Sequence, residues 1–142
     1  MTYEEYLNAI EVLKTTNSNE LKDKLLEQPL NDNIKHLLTP KIKELIEYKL
    51  KKSVNKIIRN LTEIFNDVNI LDYYLLNLKK EITFIYDLTK LKCFTKEEQQ
   101  ELQQNLQEDV EEIYNILEKE ASYIDSIGIL SQIIKNNRIK WK

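Results

Sequence analysis

Apolar residues recur three and four positions apart over most of this chain, the period of an α-helix rather than the alternation of a strand. Thr2 with Glu5 forms a capping-box pair ahead of the stripe Tyr3, Tyr6, Leu7, Ile10 and Leu13. The polar run Thr15 to Asn19 ends it. A short helix is predicted around Leu21, Leu25 and Leu26, stopped by Pro29, and a shorter one around Ile34, Leu37 and Leu38. Thr39-Pro40 reads as an N-cap followed by proline at the first helical position, opening a long helix to about Asn66. Its expected buried stripe is Leu50, Val54, Ile57, Leu61, Ile64 and Val68, with Ile46 and Phe65 at the edges.

A turn at 66–69, with Asn69 as candidate cap, precedes a helix from 70 to about 92. Its apolar positions spread over an arc of about 220° at 100° per residue, too wide for one neighbour to hide. That helix is either central to a bundle or presents a face to another molecule. Thr95 and Glu98 form a second capping box, before a last long helix carrying Leu102, Leu106, Val110, Ile113, Leu117, Ala121 and Ile124. Gly128 permits a bend into a terminal helix with Ile129, Leu130, Ile133 and Ile134. The expected fold is all-α: an antiparallel bundle of three long helices with short N-terminal helices and a C-terminal helix, residues 1–142 forming one domain.

Composition agrees with this. One glycine and two prolines supply little of the turn chemistry a strand fold needs. A single cysteine, Cys93, leaves no partner for an internal disulfide, and the first ten residues carry acids where a signal peptide carries lysines. No apolar run approaches the ~20 residues that span a bilayer. A cytoplasmic protein without a membrane span is the expectation.

Most catalytic chemistry finds no support. One Cys and one His cannot build a zinc finger or ribbon, and Asn33 stands where a bundle di-iron motif needs glutamate three residues before His36. Arg59 and Arg138 both follow His36, so the arginine-then-histidine order of HEPN-type ribonucleases is absent. Glu44 with Glu47, and Glu98 with Glu101, match half of the magnesium motif of helical nucleotide pyrophosphohydrolases, but no Glu-x-x-Asp follows. A lone glycine excludes phosphate-binding loops and nucleophile elbows. No enzyme activity, cofactor or metal is expected.

Charge changes the picture more. Residues 49–60, KLKKSVNKIIRN, hold five positive charges and no acid, whereas 97–120 hold nine acids against one lysine. On a regular helix Lys49, Lys52, Lys56 and Arg59 fall within about 80° of one another, pointing away from the apolar stripe. The acids Glu101, Glu108, Glu111 and Glu112 likewise face outward on the last long helix. Such rows serve solvation, and they also steer encounter with a complementary surface. The expected function is non-catalytic: a small protein–protein interaction module, such as an inhibitor, immunity-type protein, adaptor or assembly subunit. Its candidate surfaces are the acidic row and a surplus apolar face of Tyr73, Phe84, Leu88 and Leu91, the latter suited to self-association into a homo-oligomer. The alternative is nucleic-acid binding through Lys49, Lys52, Lys56 and Arg59. The tail KNNRIKWK adds four charges and the only tryptophan, Trp141, expected to fold back onto the core.

Overall fold

A computed structural model describes residues 1–124 and 128–141. Lys142, the last charge of the basic tail, lies outside the described residues. The described residues form seven helices: α1 (Tyr3–Thr15), α2 (Asn19–Glu27), α3 (Asp32–Arg59), α4 (Leu61–Ile64), α5 (Val68–Leu88), α6 (Lys96–Ile124) and α7 (Ile129–Asn136). The fold is all-α, built on the three long helices α3, α5 and α6.

Local chemistry sets most of the helix starts. At α1 the Thr2 side chain accepts from the Glu5 N–H at 3.1 Å while Glu5 accepts from the Thr2 N–H at 3.2 Å. At α6 Thr95 and Glu98 do the same at 3.1 and 3.0 Å. Each box satisfies two backbone donors that a helix start otherwise leaves unpaired. Asp67, not Asn69, caps α5, accepting from the Asn69 N–H at 2.7 Å. Gly128 precedes α7 with φ of 83°, a left-handed conformation that glycine adopts without Cβ strain.

α3 differs from its expected start. It begins at Asp32, with Asn31 accepting from the Ile34 N–H at 2.9 Å, and runs through Pro40. Thr39 is inside the helix: its hydroxyl lies 2.8 Å from both the Lys35 carbonyl of its own helix and the Cys93 carbonyl beyond α5. The far end also differs, since α3 stops at Arg59 and Asn60 (φ −114°, ψ 17°) breaks the winding before α4. Beyond the break Ile64 and Phe65 are still buried as expected, but the projected stripe does not reach Val68, which is exposed at the start of α5.

α3 and α5 run antiparallel: Thr39 reaches Cys93, Lys49 lies by Phe84 and Lys56 by Tyr74. α5 and α6 do the same, with Gln103 against Thr89 and Gln99 against Leu91. α5 is the central element, packed on α2, α3, α4, α6 and α7. Leu45, Leu71, Ile85, Leu88, Val110, Tyr114, Ala121 and Ile134 are fully buried between these helices.

This centrality corrects the surplus apolar face. Phe84, Leu88 and Leu91 are buried, because neighbours on all sides enclose the wide arc of α5; of the four, Tyr73 alone is exposed, at 60%. The tail folds back. Arg138 donates to Glu111 (2.6 Å), Glu118 (3.1 Å) and Asn115 (2.7 Å), and the Trp141 indole donates to Glu111 at 3.0 Å. Trp141 also packs on Tyr86, ring centroids 6.2 Å apart. No helix among the described residues is long and apolar enough to cross a membrane.

Candidate functional site: a lysine-lined groove

A groove of about 900 Å³ lies between the α1–α2 junction, the C-terminal half of α3 and the middle of α5. Its lining contains seven lysines (Lys14, Lys22, Lys49, Lys52, Lys56, Lys79 and Lys80) and one carboxylate, Glu81. Four separate elements supply these charges, so only the fold brings them together.

The floor is organised by Lys49. Its side chain is 5% exposed, which corrects its expected place in an outward row. The Nζ donates to the Leu13 carbonyl and to the Asn17 Oδ1, each at 2.7 Å, and lies 5.0 Å from the Phe84 ring centroid. Leu13 sits in the last turn of α1, where carbonyls lack helical partners and the helix dipole is negative. A lysine ammonium fits both needs. Burial pushes the Lys49 ammonium below its ordinary value, with Glu81 opposing that shift.

Lys22 makes a second buried contact. It pairs with Asp87 at 2.7 Å, donates to Asn19 at 3.2 Å, and stands 4.9 Å from the same Phe84 ring. Phe84 thus receives two ammonium groups, each favourable against an aromatic quadrupole. Asn17 completes the wall, accepting from Lys49 and donating to Glu81.

The remaining lysines are available to a ligand. Lys52, Lys56, Lys79 and Lys80 are exposed. Among the described residues none of the four forms an ion pair, whereas Lys14 is held by Glu11 at 3.0 Å. The Lys56 ammonium lies 5.9 Å from the Tyr74 ring, which meets Tyr73 edge-on at 5.8 Å. Of the basic row expected from sequence, Lys52 and Lys56 line the groove as free charges and Lys49 forms its floor. Arg59 lies outside the lining and donates to the Asn55 carbonyl of its own helix. Lys14, Lys22, Lys79 and Lys80 were not expected there. The adjacent pair Lys79-Lys80 on an apolar helix was the one sequence signal for them.

The acidic row divides. Glu101, Glu108 and Glu112 are exposed and, among the described residues, without ion pairs. Glu111 is committed to Arg138 and Trp141. Asp109 beside them has its carboxyl pushed up, first by desolvation and then by the charges of Glu112 and Glu108.

No group of three His, Cys, Asp or Glu side chains gathers as a metal site among the described residues. The Cys93 thiol is buried and pushed up to about 12 by desolvation. Comparison with protein-family models, with curated proteins and with solved structures finds no match.

Proposed function

We propose that this protein is a non-catalytic binding module that holds a negatively charged macromolecule in the lysine-lined groove. The observation that carries this reading is the charge of the lining: seven lysines against Glu81, four of them exposed and unpaired. Packing alone has no use for lysines crowded on facing walls, since like charges there repel across solvent. An anion between the walls relieves that repulsion. The groove's ionisable side chains are lysines, Tyr74 and Glu81, a set that attracts anions and offers no paired nucleophile and base.

Retention on immobilised heparin tests the reading. A chain of net charge −3 is expected to flow through such a column near neutral pH. Retention that salt reverses, and that Lys52→Glu with Lys80→Glu abolishes, supports the groove. The control is Lys41→Glu, at an exposed position on α3 outside the lining. Flow-through of the unaltered protein at low salt refutes it.

A second reading has an observation of its own: the acidic row of α6 as a docking face for a basic protein surface. The charges of Glu112 and Glu108, which add to the desolvation that raises Asp109, would be offset by a positive partner, and Glu101, Glu108 and Glu112 are exposed to meet one.

A further inference from the structure

We infer that the occupant of the groove is a single-stranded nucleic acid, bound through its phosphates without sequence preference and stacked at one end on Tyr73 and Tyr74. This rests on the anion-binding reading of the groove given above. Three features select this class of polyanion.

The first is the kind of cation. The lining holds lysines and no arginine. Arginine's planar fork fixes a carboxylate or a phosphate in one orientation, whereas lysine is a point charge that accepts any approach. A lining of lysines alone therefore suits an occupant held by its charge in no fixed register, as a backbone bound without sequence preference is.

The second is placement. Lys52 and Lys56 lie one turn apart on α3, about 6 Å, comparable to the step between phosphates of an extended strand. Lys79 and Lys80 face them from α5. One strand between the walls meets both sets. A rigid duplex resting on the rim reaches one.

The third is the aromatic pair. Tyr74, half-buried, lines the groove beneath the Lys56 ammonium; Tyr73 lies outside the lining but meets the Tyr74 ring edge-on and is 60% exposed. A ring beside a cation, continued by an exposed ring, is a surface on which bases stack, and stacking tolerates any base. A polypeptide of acids has no comparable use for it.

Fluorescence anisotropy with labelled dT12 and rA12, against a labelled 12-residue polyglutamate and a 12-base-pair duplex, tests the inference on the full chain. The expected result is tighter binding of both single strands than of either competitor. The logarithm of affinity should fall against the logarithm of salt with a slope of about −3, for four phosphates at roughly 0.7 each. Tyr73→Ala should weaken binding roughly tenfold with the slope unchanged, as expected when one stacked base is lost, while Tyr73→Phe keeps it. Circular dichroism of each variant confirms the helical fold. Equal or tighter binding of polyglutamate or duplex overturns the inference, as does an unchanged affinity in Tyr73→Ala. Absence of oligonucleotide binding also overturns it, and heparin retention then decides independently whether the groove remains an anion site.

Discussion

The ammonium of Lys49 caps the last turn of α1 by donating to the Leu13 carbonyl at 2.7 Å, so a residue of the third helix closes the first. Lys49→Met keeps the length and apolar stem but leaves a buried carbonyl and the Asn17 amide oxygen without their donor. An unsatisfied buried acceptor costs about 1–3 kcal/mol. Urea unfolding followed by circular dichroism should show a loss of that size; an unchanged midpoint would refute the capping role.

Arg138 ties the tail to α6 through Glu111, Glu118 and Asn115. Arg138→Ala should release Trp141 from its place against Tyr86. Because Trp141 is the only tryptophan, its emission reports this directly. The expected outcome is a red-shifted maximum with a stability loss of about 1–2 kcal/mol, since a partly exposed network exceeds a lone surface pair. Emission identical to that of the unaltered chain would contradict the docked tail.

Cys93 and Tyr114 are both pushed up to about 12 by burial. The folded state therefore holds these protons where the unfolded chain releases them. Their contribution to stability is complete below the unfolded thiol value of about 8.5 and falls as pH rises above it, by at most about 1.4 kcal/mol per unit for each group. Unfolding free energies at pH 7, 9 and 10 should decline, and Cys93→Ala should flatten the segment between 8.5 and 10. At pH 8 the thiol should react with a disulfide reagent only at the rate of global opening.

Glu98 has its carboxyl lowered chiefly by the Thr95 backbone N–H, with Lys43 helping at 3.4 Å. A lowered carboxyl stabilises the fold above its unfolded value of about 4.3, and that contribution is lost as pH falls through the folded value. Acid titration of the melting temperature should therefore be flat near neutrality and drop below about pH 4.3, less steeply in Glu98→Gln. Thr95→Ala should cost about 1 kcal/mol at neutral pH through the lost cap.

Glu108, Asp109 and Glu112 repel one another at helical spacing. Glu112→Gln should raise neutral-pH stability by about 0.2–0.5 kcal/mol, the scale of a like-charge pair on a helix. That gain should vanish in high salt. A loss of stability instead would mean that Glu112 has an attractive partner.

The features legible in the sequence are those encoded within a few residues. Both capping boxes are spelled by Thr-x-x-Glu and form as spelled. The apolar stripe of α6, from Leu106 to Ala121, is buried as its period predicts. Pro40 misleads because proline at a first helical position and proline inside a helix look alike locally; Asn31, nine residues earlier, is the true start. Lys49 misleads because its charge outweighs its position. It continues the buried line Leu38, Ile42, Leu45 and Ile46 by steps of three and four, a signal present in the sequence. Phe84, Leu88 and Leu91 were ambiguous because an over-wide apolar arc describes a central helix and a sticky one equally. Of the groove, the sequence showed only the α3 wall, through Lys52 and Lys56: its other lysines come from residues 14 to 80, and proximity between them is a property of antiparallel packing.

Asn17 and Lys49 are at once the wall of the groove and the clasp that holds α1 against α3 and α5. Lifting the N-terminal helix away dismantles the cradle, and filling the cradle raises the free energy of that lifting. Slowed amide hydrogen exchange along residues 3–15 thus becomes a remote gauge of occupancy, recorded in a helix most of which never meets the ligand.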